Sequence, residues 1–278
     1  MNGMVRILAV LIAAVVSSAM TSAQQGMTRY VRFSYQNSVA YGVLEGETIR
    51  ELKGDLFATP EFTGRTMKLE AVRLLAPCQP SKVIAVGLNY KSHLGDREPA
   101  PYPGLFAKLP TSIVGPGDAI LAPEDAKNLH FEGELVVVIG KRARNVSVAA
   151  APQHVFGVTA GNDVSERDWQ KNDLQWFRAK GADTFGPLGP VIVKGLNYGD
   201  LLLQTRLNGE VLQSQRTKDL LFDVPNLVSY ISRYVTLEPG DVIYTGTPGS
   251  TKAMKPGDVV EIEIEGVGVL RNRVERPR

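Results

Sequence analysis

Short runs in which apolar and polar residues alternate, broken by Gly, Pro and Asn, recur from Thr28 to the C-terminus. A period of two places successive side chains on opposite faces of a strand, so the pattern predicts a mixed α+β chain dominated by sheet. Tyr30 to Tyr35 and Val39 to Leu44 read as a hairpin turning at Gln36-Asn37-Ser38, with further strands at Thr48 to Leu52 and Leu69 to Leu75. Pro77 and Pro80 then punctuate the chain. A small β-rich N-terminal domain over 27–77 and a larger domain over 81–278 are therefore expected.

Beyond that boundary, Lys82 to Val86, Ala119 to Leu121, Phe156 to Ala160 and Asp241 to Tyr244 read as strands. Val136 to Ile139 differs: a β-branched run without alternation, closed by Gly140, is expected of a strand buried on both faces. Asn208-Gly209 joins Leu201 to Leu207 and Val211 to Gln215 as a hairpin. Val259 to Glu265 and Val269 to Val274 form a last one, with Glu261, Glu263 and Glu265 outward and Ile262 and Ile264 inward. Pro-Gly-Asp recurs at 116–118, 239–241 and 256–258, a fit to type II turns. Helical spacing is confined to Val148 to His154, a turn at Arg167 to Gln170, and Val224 to Tyr234. The stripe of Leu227, Tyr230, Ile231 and Tyr234 on the last is expected to face the core. Lys180 to Pro187 reads as a loop.

With 278 residues, 44% hydrophobic and 22% charged, the chain is globular and long enough for a substantial core. A formal charge of +2 without a basic block excludes a dedicated nucleic-acid binder. The single cysteine, Cys78, excludes an internal disulfide framework and a thiolate zinc site. With only His93, His130 and His154 for imidazole, any metal here should be held by oxygen.

At the N-terminus, Arg6 precedes the apolar run Ile7 to Val16, too short to span a membrane comfortably, and Thr21-Ser22-Ala23 supplies small residues. This predicts a secretory leader over 1–23, cleaved after Ala23, and an exported protein with no membrane segment once mature. Translation from Met27 would instead give a cytoplasmic protein.

Three stretches carry candidate chemistry. Glu132 and Glu134 stand two apart at the start of the buried strand, so their side chains point the same way. Either both face water at a strand end, or a hard divalent cation compensates their repulsion and lost hydration. Asp163 ends the Phe156 to Ala160 strand as a third carboxylate. His93 and Asp96, three apart after a strand end, can share a helical turn, where a carboxylate would fix the imidazole tautomer and sharpen its basicity. Lys180 is either a solvated loop charge or, near three carboxylates and a cation, a binder of an anionic substrate. Thr245-Gly246-Thr247-Pro248-Gly249 suits a ligand carboxylate, or an ordinary tight loop.

Gly87-Leu88-Asn89-Tyr90 with His93, Gly115-Pro116-Gly117-Asp118, Glu132-x-Glu134, Asn162-Asp163 with Arg167, Asp168 and Gln170, Lys180-Gly181 with Asp183, Asn208-Gly209-Glu210 and Thr245-Gly246-Thr247-Pro248 occur in order from Ser81 onward. Together these seven motifs resemble the fumarylacetoacetate hydrolase family. The resemblance implies a β-sandwich roll, commonly a homodimer, acting on a small oxo-acid substrate. It implies that Glu132, Glu134 and Asp163 bind Mg²⁺ (or Mn²⁺), and that His93, oriented by Asp96, deprotonates a water. Lys180, Gln170 and Lys108 would stabilise the oxyanion, while Tyr90, Arg167 and Thr247 would contact substrate. The implied reaction is hydrolysis of a C–C bond in an acylpyruvate-type 2,4-dioxo acid. A decarboxylase, hydratase or isomerase of the same fold is the alternative, and a non-catalytic binder is the reading from another class. Two departures stand out. Hydrolytic members carry Glu where this chain has Asp96, with Glu98 as a stand-in, and the lid segment from His93 to Lys108 is short.

Overall fold

In the computed structural model, which describes residues 26–277, the run Gly133–Ile139 is buried along its whole length. Leu135, Val137 and Ile139 point into one core, and Val136 and Val138 into another, which is why no polar residue interrupts the run. Val155–Asn162 pairs with it antiparallel on one side and Val242–Tyr244 antiparallel on the other. Val242–Tyr244 in turn pairs parallel with Val83–Gly87, whose outer neighbour is the edge strand Gly104–Lys108. In the opposite direction the sheet continues through Gly186–Lys194 into Thr28–Tyr35, Ser38–Glu45, Thr48–Leu52 and Phe62–Lys68. Arg73–Leu75 beside Thr28–Tyr35 and Ile113–Val114 beside Gly186–Lys194 bring it to twelve strands among the described residues. The N-terminal strands thus extend the central sheet by pairing Thr28–Tyr35 with Gly186–Lys194.

A second sheet of five strands runs Glu210–Arg216, Leu202–Leu207, Val259–Ile264, Gly268–Glu275, Ala119–Leu121. Its inward residues Leu203, Ile262, Ile264 and Leu270 share one core with Leu135 and Val137, making a sheet-dominated α+β sandwich. Gly133 lies where the two sheets touch: a Cβ there would sit 2.1 Å from Thr205 Oγ1, so any side chain would force them apart. Glu261 and Glu263 face outward to Arg271 and Arg206, as the alternation predicts.

The helix Val224–Tyr234 has the expected bounds and is capped by Asp223, whose carboxylate accepts from the Asn226 N–H at 3.0 Å. Its buried stripe is Val224, Leu227, Val228 and Ile231. Tyr234 is exposed and stacks edge-on against Tyr230 at 5.4 Å, so the face is rotated from the expected one and leaves the phenols in water. Three other expectations are corrected and one strand is added. Leu69 to Leu75 is a 3₁₀ turn, Leu69–Ala71, followed by a strand only at Arg73–Leu75. Phe62–Lys68 is an edge strand whose exposure removes the apolar alternation that would have revealed it. Val148 to His154 holds only the 3₁₀ turn Ala151–His154, started by Pro152. Lys180 lies on the short helix Phe177–Gly181, not in a loop. The leader expected over 1–23 lies outside the described residues. Among the described residues, no helix is long and apolar enough to cross a membrane.

Candidate functional site

The antiparallel register of Gly133–Ile139 with Val155–Asn162 sets Gly133 opposite Asn162 and Glu134 opposite Gly161. One step further, the Asp163 N–H donates to the Glu132 carbonyl at 2.8 Å, and the Glu132 N–H to Asn162 Oδ1 at 2.9 Å. The carboxylates of Glu132, Glu134 and Asp163 therefore converge, with one oxygen of each within 4.8 Å of the others, all three buried. Gly246 closes the site from behind, its N–H donating to Glu134 Oε2 at 2.7 Å. Its φ of +106° and the Asn89 Cβ, 2.7 Å from where its own Cβ would stand, leave room for glycine alone.

Buried cations compensate two of the three acids. Lys180 Nζ donates at 2.7 Å to both Glu132 Oε2 and Asp163 Oδ2. Lys108 Nζ donates to Asp163 Oδ1 at 2.6 Å and to the Lys180 carbonyl. Burial works against the Lys180 charge, but Asp163 and Glu132 prevail and raise its pKa. Burial pulls the Lys108 ammonium down, with Asp163 opposing. Burial likewise opposes the Glu132 carboxylate, yet Lys180 and Arg167 hold it well below the usual range. Glu134 has no cation partner among the described residues; burial and the charges of Asp163 and Glu132 push its carboxyl well up. A buried triad of hard oxygen donors in which one acid lacks a counter-charge fits a divalent cation.

His93 sits on the 3₁₀ turn Lys91–His93, directly after the Val83–Gly87 strand. Its Nδ1 meets the Gly249 carbonyl, and its Nε2 lies 3.8 Å from Glu132 Oε1. A carbonyl only accepts, so Nδ1 carries the proton and Nε2 the lone pair. Asp96 is exposed on the following turn, with no side-chain bond among the described residues. The cavity above the carboxylates encloses about 680 Å³. His93, Glu132, Glu134, Arg167, Gln170, Lys180 and Thr247 line it together with Phe106 and Trp176, whose rings meet edge-on at 5.3 Å. Lys108 is bound to Asp163 and does not reach the cavity surface. Tyr90 is wholly buried, with no partner for its hydroxyl among the described residues.

Arg167 contacts Glu132 Oε1 and donates to Gln170 Oε1 at 2.7 Å and to Thr251 Oγ1 at 3.0 Å. Thr247 Oγ1 donates to the Gly133 carbonyl at 2.9 Å and accepts from Gln213. His130, held down to about 4 by burial and by Arg167, bridges Thr251 and Asn128.

Residues 82–275 match the profile of the fumarylacetoacetate (FAA) hydrolase C-terminal domain, and residues 28–77 match the Rv2993c-like N-terminal domain. The chain belongs to the fumarylacetoacetate hydrolase family. Within the family it is 47% identical to a 2-hydroxyhepta-2,4-diene-1,7-dioate isomerase from Mycobacterium marinum, with a TM-score of 0.85 over 90% of this chain and 98% of that one. It is 42% identical over 218 residues to the mitochondrial oxaloacetate tautomerase FAHD2A of Homo sapiens, covering 73% of this chain and 69% of that protein. A fumarylacetoacetate hydrolase from Exiguobacterium antarcticum shares 37% identity and a TM-score of 0.83 over 90% of this chain and all of that one. Family membership makes this an enzyme fold used for isomerisation, tautomerisation and hydrolysis alike.

Thr251 and Gln213 escaped the sequence reading, and Gly249 entered it only as part of a candidate ligand loop. Gly249 acts through its carbonyl, and the other two through partners 84 and 34 residues away in the chain. No local spacing signals such contacts.

Proposed function

We propose that this chain is a Mg²⁺-dependent (or Mn²⁺-dependent) enzyme that moves a proton at the carbon beside the keto group of a 2-oxo acid, as a tautomerase or isomerase does. The observation that carries this reading is the His93 ring. Its Nδ1–H is committed to the Gly249 carbonyl, its Nε2 lone pair faces the cavity beside Glu132, and Asp96 stands exposed. Such an imidazole is a positioned base for a carbon acid. Glu132, Glu134 and Asp163 would hold a divalent ion, which would supply Lewis acidity toward the 2-oxo acid when bound. Lys180 presents an ammonium hydrogen to the oxygen that gains charge as the proton leaves carbon. Arg167 and Gln170, on the same cavity lining, orient the acid, and Phe106 with Trp176 supplies an aromatic part of that lining. The isomerase from M. marinum and the human tautomerase support the same order of preference, both being closer in sequence than the hydrolase.

Hydrolysis of an acylpyruvate-type C–C bond is the second reading. It uses the same base on water instead of carbon, and the hydrolase from E. antarcticum speaks for it. Oxaloacetate and a panel of acylpyruvates, incubated in D₂O with Mg²⁺, separate the two. Deuterium entering C3 without cleavage is expected; cleavage outpacing exchange would put hydrolysis first, and neither reaction would leave a binder. Export rests on the basic, apolar and small-residue succession from Arg6 to Ala23, and is checked by finding Gln24 as the mature N-terminus in a secreted fraction.

A further inference from the structure

Thr251, on the cavity lining, and His130, behind it, belong to a chain of hydrogen bonds that starts at Arg167 and ends at Asp168. Arg167 Nη2 donates to Thr251 Oγ1 at 3.0 Å, Thr251 Oγ1 and His130 Nδ1 are 2.8 Å apart, and His130 Nε2 and Asn128 Oδ1 are 2.9 Å apart. Asn128 Nδ2 then donates to Asp168 Oδ1 at 3.2 Å. A carboxylate accepts only, so Asp168 takes the amide's NH₂ end and turns the Asn128 oxygen to His130. His130 must then donate through Nε2 and accept at Nδ1, which claims the Thr251 hydroxyl proton. The lone pairs of Thr251 are left facing Arg167. Every bond in the chain thus points one way, from the guanidinium outward.

The scaffold behind this chain is tied to itself as well. Leu129–His130 pairs with Ser165–Glu166, the Arg167 N–H donates to the Asn128 carbonyl at 3.0 Å, and His130 bridges to Ala253. At the front, Nη2 donates to Thr251 and lies 2.5 Å from Glu132 Oε1 as an ion pair, and one Nη1 hydrogen goes to Gln170. The Nε hydrogen and the second Nη1 hydrogen have no partner among the described residues. They are the donors Arg167 can offer an incoming oxygen.

We propose that Thr251 and His130 are positioning residues that pin the Arg167 guanidinium at Glu132 and so fix which of its hydrogens meet the substrate carboxylate. The proposal rests on the 2-oxo-acid reading of the cavity, and its test separates the two. Oxalate with Mg²⁺, a planar dianion shaped like a 2-oxo-acid enolate, is titrated calorimetrically into the full chain and into Thr251→Val. The variant is expected to bind about five- to tenfold more weakly, the scale of one net hydrogen bond. Thr251→Ser, which restores the hydroxyl, recovers most of the affinity. In an Arg167→Met background Thr251→Val costs nothing further, because Thr251 acts through the guanidinium and not by touching the ligand from the cavity lining. Equal affinity in wild type and Thr251→Val, or an equal loss in both backgrounds, overturns the proposal. Should wild type not bind oxalate, the 2-oxo-acid reading fails, and nitrogen-15 NMR of the unliganded protein decides the relay. Faster rotation of the Arg167 guanidinium in Thr251→Val supports it, and unchanged rotation overturns it.

Discussion

Lys180 and Asp163 meet ammonium to carboxylate at 2.7 Å, and the same Nζ stands 2.7 Å from Glu132. One buried cation therefore spaces two acids of the metal triad. Replacing it by an isosteric apolar chain leaves Asp163 to Lys108 alone and Glu132 to Arg167 alone. Lys180→Met is expected to destabilise the metal-free protein by about 3–5 kcal/mol, the scale of a broken buried pair. Added Mg²⁺ should recover part of that loss. Thermal melts with and without Mg²⁺ check it, and a metal-free variant as stable as wild type would show that Lys180 is not needed to space the acids.

Glu134 is the acid with no cation partner among the described residues, so its charge is costly until an ion arrives. Glu134→Gln keeps the shape and removes the charge. The metal-free variant is expected to be no less stable than wild type, while the stabilisation by Mg²⁺ disappears. In wild type that stabilisation is about 2.7 kcal/mol at a hundred times the dissociation constant. Calorimetric titration and melting read both quantities. Tight Mg²⁺ binding by the variant would remove Glu134 from the ligand set.

His93→Asn should slow deuterium exchange at C3 of oxaloacetate by about 10²- to 10⁴-fold, the usual range for a general base. Oxalate binding with Mg²⁺ should persist, since the ring contacts a carbonyl and approaches Glu132 only at 3.8 Å. Lost binding together with lost exchange would make His93 a structural residue.

Asp96→Asn distinguishes what orients the imidazole. If the Gly249 carbonyl sets the ring, kcat/KM changes by less than about threefold, under 1 kcal/mol of barrier. A hundredfold fall would return Asp96 to the side of the base, and the hydrolytic reading with it.

Cys78 is buried in the second core, and burial pushes its thiol up to about 12. The unfolded chain releases this proton near the ordinary thiol value of 9.0, so the native state binds more protons between those two values. Stability from this group is therefore full below pH 9 and declines as pH rises through the interval. At pH 8 a disulfide-exchange reagent should modify native Cys78 only as fast as the protein opens, and the denatured chain at once. Rapid modification of the native protein would contradict its burial.

The strands with strict alternation, such as Val259–Ile264 beside Gly268–Glu275, were legible because one face is wet and the other dry. Phe62–Lys68 was not, because an edge strand exposed on both faces has no pattern to betray it. Tyr230 and Tyr234 show the same limit on a helix. Helical spacing gave the bounds of Val224–Tyr234, but the hydroxyls of the two tyrosines turned the stripe toward Val228. Lys180 looked like a loop charge because its helix, Phe177–Gly181, is too short to show a period.

Sequence by itself determined the pair Glu132 and Glu134, because two residues along an extended chain return the side chain to the same side. It also determined that any metal here is held by oxygen, since the chain lacks other ligands in number. Only the tertiary structure decided that Asp163 joins that pair. The registry of Val155–Asn162 against Gly133–Ile139 is a matter of interstrand hydrogen bonds, and a slip of one residue would send the carboxylate to the other face. It likewise decided that His93 answers to Gly249 and not to its near neighbour Asp96. That contact spans 156 residues of chain and is made by a backbone oxygen, which every residue carries alike.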